Sequence, residues 1–230
     1  MARIYKLSLS GLKLIYKVRH HKGYGIHSPF VYNLVHNVIE EKRTFYAYED
    51  IRSFLTDYFP DNTFRTSKHD RLVFRLINHF KIKSVLEIGS GTGEGTLYIT
   101  APSNEIKCFC FEADTTKKEI AEDVYLQWDK KNNITSLNSI SSIFSTKIEA
   151  VIIDLNNYSD IDDDFINFIK NIYSEKMFVL VKGIRNNKKH KRIWSKIAEI
   201  EERTAKLDLF NIGIIFFHKD LYRWNYQISF

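Results

Sequence analysis

The chain predicts an α/β domain built on a mostly parallel sheet, with antiparallel strands at its C-terminal end and a helical N-terminal segment. Three observations predict it. Short apolar runs and helix-period stretches alternate from residue 67 onward. The run Ser84–Ile88 breaks into glycines at 89, 91 and 93, turn chemistry that lets a buried strand pass sharply into a helix. From about residue 205 the helical pattern stops and strand-like runs follow one another, which adds antiparallel strands to the sheet. The chain therefore divides into a helical extension, 1–66, and an α/β domain, 67–230.

The N-terminal part comes first. Residues 1–22 are basic and partly amphipathic, with Leu7, Leu14, Ile15 and Val18 able to share a helical face. Such a helix docks on the domain or on a second copy of the chain in a homodimer; a membrane-surface or substrate-cap role is the alternative. Ser28 before Pro29 reads as an N-cap followed by the first helical residue. The helix it opens should run to about Glu41, with Phe30, Val31, Leu34, Val35, Val38 and Ile39 inward. Tyr48–Phe59 is a second amphipathic stretch. Ser67-Lys68-His69-Asp70 fits a capping box, opening a helix that buries Leu72, Val73, Leu76, Ile77 and Phe80.

Composition bounds what the chain can be. Its 230 residues, 44% hydrophobic and 14% aromatic, can bury a sizeable core. No apolar run is long enough to span a membrane, and no small-residue cleavage site follows the basic start, so a cytoplasmic location is expected. The two cysteines, Cys108 and Cys110, are two apart on a predicted strand and face one side. Two thiols alone do not make a metal site, and reduced core cysteines are the expectation. The net charge of +6 is concentrated in Arg3–Lys22 and Lys182–Arg192. An excess of this size suits anionic partners but names none.

The glycine stretch carries the functional information. Starting from Gly89, the dinucleotide pattern Gly-x-Gly-x-x-Gly would place its third glycine on Glu94, and from Gly91 on Thr96, so that register fails twice. No Lys-Ser or Lys-Thr pair follows, which excludes a phosphate-gripping P-loop. The pattern is Glu-x-Gly-x-Gly-x-Gly instead. Glu87 lies inside the apolar run, and a buried carboxylate is costly unless paired, so a cationic or amine-bearing ligand, or the loop backbone, should meet it.

The remaining elements follow in order. Thr96–Thr100 makes a short helix, and Ile106–Phe111 a second strand ending at Glu112. Roughly 20 positions past the glycines is where an acid accepts hydrogen bonds from ribose hydroxyls in nucleoside-binding α/β folds, and Glu112 is there. A helix with Ile120, Val124 and Trp128 precedes a third strand, Ile134–Leu137, closed by Asn138 and Ser139. Ala150–Asp154 is a fourth strand tipped by an acid. Ligands in open α/β sheets bind beyond the carboxyl ends of strands, which puts Asp154 at the site. Asp162, Asp163 and Asp164 suit the positive end of a helix burying Phe165, Phe168, Ile169, Ile172 and Tyr173. Met177–Val181 is the fifth strand, followed by a basic loop, Lys182–Arg192, and a helix with Ile193, Trp194, Ile197 and Ile200. Ala205–Phe217 should be two strands, or one with a bulge at Gly213. The alternation of Trp224, Tyr226, Ile228 and Phe230 with polar residues predicts a half-buried terminal strand.

The run Glu87-Ile-Gly-Ser-Gly-Thr-Gly93, with Glu112 after the next strand, resembles motif I and the ribose-binding acid of class I S-adenosylmethionine-dependent methyltransferases. The resemblance covers about residues 67–230 and implies a Rossmann-like fold and S-adenosyl-L-methionine as cofactor. It implies binding by Glu87, Gly89, Ser90, Gly91, Gly93, Glu112, Asn138, Ser139 and Asp154. The segment Val151-Ile-Ile-Asp154-Leu-Asn-Asn-Tyr158 is similar to small-molecule O-methyltransferases of the catechol type, and His27-Ser-Pro-Phe30 to uncharacterised bacterial methyltransferase-like proteins. An enzyme transferring methyl to an oxygen of a small-molecule acceptor is what this implies, with Asp154, Tyr158 and His27 as candidate catalytic groups. One departure stands out. Catechol-type enzymes hold a divalent cation with the acid after strand four and an Asp-Asn pair after strand five; here that second place reads Lys182-Gly183. A lysine repels a cation, so no catalytic metal is expected. Two alternatives remain: a non-catalytic S-adenosylmethionine-binding partner subunit, and a nucleic-acid methyltransferase. The second lacks the Asn-Pro-Pro-Tyr motif that grips a flipped base.

Overall fold

The computed structural model describes Gly11 and residues 26–60, 67–128, 133–143 and 147–230. Apart from Gly11, the basic segment 1–22 lies outside the described residues, as do the glycines at 23 and 25 and the junction at residue 66.

The N-terminal helices are α1 (Pro29–Leu34), α2 (Tyr46–Tyr58) and α3 (Lys68–Phe80). Ser28 caps α1 through its hydroxyl, and Pro29 takes the first turn, where a missing N–H costs nothing. The expected helix to Glu41 does not stay regular. Val35–Ile39 is a π-helical turn that ends at Ile39, and Arg75 donates hydrogen bonds to the carbonyls of Val38 (2.6 Å) and Ile39 (3.4 Å). Ser67 caps α3 by accepting from the N–H groups of His69 and Asp70.

Among the described residues the sheet has eight strands: β1 (Ser84–Ile88), β2 (Lys107–Phe111), β3 (Ile134–Leu137), β4 (Ala150–Asp154), β5 (Phe178–Lys182), β6 (Ala205–Asp208), β7 (Ile212–Phe216) and β8 (Trp224–Gln227). They lie in the order β3-β2-β1-β4-β5-β7-β6-β8. The first five are mutually parallel, and β7 inserts antiparallel between β5 and β6. The connecting helices are α4 (Glu94–Thr100), α5 (Thr115–Gln127), α6 (Asp163–Ile172) and α7 (Lys188–Ala198).

Period-two alternation divides the core. Val85, Cys108, Cys110, Ala150 and Ile152 face α1 to α5, whereas Leu86, Ile88, Val151 and Ile153 face α6 and α7. Glu87 shares the face of Val85 and so points toward α4. The buried side chains of Val31, Leu34, Val35, Val38, Ile51 and Leu55 belong to the same apolar cluster as that face of the sheet.

Two expectations need correction, and one open alternative is decided. The basic stretch Lys182–Arg192 is not one loop: Lys182 closes β5, and α7 starts at Lys188, capped by the Asn187 side chain. Ala205–Phe217 is the expected pair of strands, not one strand with a bulge, and the break falls at 209–211, with Phe210 at φ 71°. Gly213 sits inside β7 because the Trp194 ring covers it: a Cβ there would come 2.4 Å from ring carbons. The terminal strand pairs parallel with β6 but is barely covered. Trp224 is 61% exposed because β8 is the outermost strand, while Ile228 beyond it is buried.

Candidate active site

Parallel strands β1, β4 and β5 end together, and the site forms at that edge. Gly89, Gly91 and Gly93 take φ of +76°, +60° and +89°, conformations that side chains with a Cβ resist. Close packing enforces the same choice. A Cβ on Gly89 would stand 2.7 Å from the Asp154 carbonyl oxygen, and one on Gly91 2.8 Å from the Asn157 amide nitrogen. The bend is drawn to β2 by the Gly89 N–H, which donates to the Phe111 carbonyl at 2.8 Å.

Beside this bend is a cavity of about 140 Å³, lined by Asp70, Glu87, Glu94, Asp154, Lys117 and Lys182 among its charged groups. Glu87 is 3% exposed. It accepts a 2.6 Å hydrogen bond from Thr96, whose hydroxyl also meets the Tyr125 hydroxyl at 2.9 Å. Burial pushes the Glu87 carboxyl up to about 7, against the opposing pull of Lys182 and Thr96. Burial also raises the Glu94 carboxyl. Lys182 donates to Asp70 at 2.6 Å and stands 3.9 Å from Asp154. Burial disfavours its charge, but Asp70, Asp154 and Glu87 outweigh that, so the ammonium is held above its ordinary range.

The expected cofactor residues are partly brought together. Glu87, Gly89, Ser90, Gly91 and Asp154 line this cavity. Gly93 sets the bend, and the Tyr125 ring packs on its Cα side. Glu112 is buried at the end of β2, accepting from Gly91 N–H at 2.7 Å and Asp114 N–H at 3.0 Å. A carboxylate has about four acceptor positions, so these two bonds leave others for a ligand hydroxyl. Asn138 and Ser139 lie exposed past β3, two strands away, where Lys118 donates to the Asn138 side chain at 2.7 Å.

The candidate catalytic residues separate. Asp154 is in the cavity wall, one carboxylate oxygen accepting from Asn156 backbone and side chain at 3.0 and 2.8 Å, the other facing Lys182. Tyr158 packs edge-on against Phe111, ring centres 5.2 Å apart, and does not line the cavity. His27 is exposed at the far end of the sheet. There it lines a larger cavity of about 840 Å³ with Ala205, His218 and Trp224. Ala205 stands level with Phe178, the start of β5, so that cavity lies at the end opposite the glycine bend. Size therefore does not pick out the site; converging charge and the glycine bend do.

Sequence reasoning missed Asp70 and Asn157. Asp70 was absorbed by the capping-box reading, yet its side chain pairs with Lys182 while Ser67 does the capping. Asn157 lies over the bend, donating to the Gly89 carbonyl at 3.0 Å and accepting from Lys117 at 3.3 Å. A local signal for Asn157 existed: it follows the acid-tipped strand by three residues.

No protein-family model matches the chain, and no curated protein matches it significantly. Solved structures do. A protein described as a caffeoyl-CoA O-methyltransferase from Staphylococcus aureus is 14% identical, with a TM-score of 0.60 over 81% of this chain and 97% of that one. An O-methyltransferase from Bacillus cereus in complex with SAH gives 13% identity and a TM-score of 0.56 over 81% and 97%. The fold is that of the Rossmann-like methyltransferases. A third neighbour in this methyltransferase fold, an O-methyltransferase from Streptomyces achromogenes in complex with SAM, is 11% identical, with a TM-score of 0.54 over 79% and 94%.

Proposed function

We propose that this chain is an S-adenosylmethionine-dependent methyltransferase that methylates an oxygen of a small-molecule acceptor without a catalytic metal. One observation carries the reading: the cavity beside the glycine bend sets four carboxylates against two lysines. A dinucleotide would bring phosphates into that field and be repelled. S-adenosylmethionine brings a sulfonium and an ammonium, carries no phosphate, and suits a pocket of net negative charge. The solved O-methyltransferases of similar fold, two of them holding SAM or SAH, support the same reading.

In this assignment Glu87 and Asp154 receive the ammonium end, the bend at Gly89–Gly93 admits the ligand closely, Glu112 accepts from the ribose, and Asn138 and Ser139 flank the base. The sulfonium is already a good leaving group. Most of the acceleration then comes from in-line positioning of the acceptor and exclusion of water. To Asp154, at the rim between β4 and β5, we assign the taking of a proton from the acceptor hydroxyl. Tyr158 and His27 are given no part in the chemistry, since neither borders this cavity and His27 lines the one at the opposite end of the sheet.

Titration calorimetry with S-adenosylmethionine and with NAD tests the reading. The first should bind and the second should not. Glu112→Ala should then weaken the first on the order of ten- to a hundredfold, the worth of hydrogen bonds to a charged group. Binding of NAD alone, or of neither, would overturn the assignment. A specific observation favours keeping a non-catalytic binding protein as the rival: Asn157 covers the bend. Turnover with any acceptor removes that rival.

A further inference from the structure

The position of Gly95, at the start of α4, has an unusual surrounding. A Cβ built there would lie 3.3 Å from a Glu87 carboxylate oxygen, 3.5 Å from the Lys182 ammonium and 3.6 Å from an Asp70 carboxylate oxygen. Only the lack of a side chain at residue 95 keeps one cation and two anions uncovered there, the gap being no wider than a methyl group, and all four residues line the same cavity. We propose that Lys182 reads the carboxylate of the ligand's amino-acid end, making this pocket selective for a zwitterionic α-amino-acid tail over the same ligand lacking its carboxylate. The proposal rests on the methyltransferase reading above and adds to it the residue that selects the tail.

Charge requires such a residue. A ligand carboxylate entering this cavity meets Asp70, Glu87, Glu94 and Asp154, all acidic, so without a cation it would be repelled. Two lysines are in the lining. The Lys117 ammonium is drawn to the Asn157 side chain over the bend. Lys182 is the one at the Gly95 space, and it has capacity. An ammonium offers three donors; one goes to Asp70 at 2.6 Å, and Asp154 at 3.9 Å is beyond hydrogen-bond distance. The three acids around it supply the partners for an α-ammonium. Size agrees: about 140 Å³ falls below the ~300 Å³ at which pockets begin to enclose whole small molecules, and suits one end of a ligand. The same charge also penalises a wrong ligand. A tail with an ammonium and no carboxylate leaves Lys182 facing it with nothing between.

The test uses the full chain and three probes in calorimetry: S-adenosylhomocysteine, its decarboxylated analogue, and 5′-methylthioadenosine. Wild type should bind S-adenosylhomocysteine at least about tenfold tighter than the decarboxylated analogue, as expected for one charge-assisted contact. In Lys182→Met that ratio should fall to about one or invert. Because Lys182→Met strands the Asp70 carboxylate, the double variant Asp70→Asn/Lys182→Met, which removes both members of the pair, is measured alongside it. A merely structural lysine would weaken all three probes in proportion and leave the ratio intact. An unchanged ratio in either folded variant, or no discrimination in wild type, overturns the proposal while leaving the methyltransferase reading in place. Failure of wild type to bind any of the three probes defeats that reading itself.

Discussion

Glu87 lies deep beneath the glycine bend and titrates near neutrality, which gives a pH prediction with a definite sign. Its folded value of about 7 lies above the ordinary 4.5. Below 4.5 both folded and unfolded chains hold the proton. Between 4.5 and 7 the unfolded chain releases it first, so Glu87's contribution to stability is lost as pH rises, and above 7 the loss is complete. Glu87→Gln cannot ionise. Its melting temperature should therefore gain on wild type by a few degrees between pH 5 and pH 8, followed by circular dichroism; a constant difference would contradict the assignment. Gly89→Ala is a second residue-scale case. The new methyl would meet the Asp154 carbonyl at 2.7 Å with φ at +76°, a strain on the order of 1–3 kcal/mol. Reduced thermal stability together with lost cofactor binding is the expected outcome. Glu87 and the glycines were legible because an acid in an apolar run and glycines at alternate positions have few other uses. Asp70 was not, because its position also satisfied a helix-start pattern, and only the fold brings Lys182 across 112 positions to meet it.

At the scale of elements, α7 is fixed to the sheet by one large ring laid over one absent side chain, Trp194 on Gly213. Gly213→Val should push the ring off β7 and destabilise by about 1–3 kcal/mol, as overpacked cores do. A lower urea midpoint with an unchanged slope would register it. Apolar runs made β1, β4 and β5 readable, since a strand buried on both faces leaves no polar register to mistake. The antiparallel end was harder. The turn at 209–211 carries no glycine or proline, so Phe210 takes a positive φ unannounced, and the one glycine nearby marks a packing contact instead. The expectation for His27 failed to bring it to the bend for a related reason: a residue before a helix cap is placed by the helix, and α1 packs toward the start of β5, where Phe30 meets Phe216 edge-on at 5.4 Å.

At the scale of the whole molecule, a ligand bound only by the folded chain raises its stability by mass action. At a hundred times its dissociation constant, S-adenosylhomocysteine should add about 2.7 kcal/mol. For a chain of this size that is a rise of roughly 5–10 °C in melting temperature; NAD should give none. Methyl transfer to a suitable acceptor should also survive a chelator, because the Lys182 ammonium occupies the ground beside Asp154. Activity abolished by chelation and restored by magnesium would contradict that. The π-helical turn has a consequence for how the chain can be divided. Arg75 reaches from α3 to the carbonyls of Val38 and Ile39, and side chains from Val31 to Leu55 line the same interior as β1 and β2. Expressed from residue 67 onward, the α/β part would carry a stranded guanidinium and an oily, uncovered flank, and a bacterial host should deliver it as inclusion bodies rather than as a working catalyst.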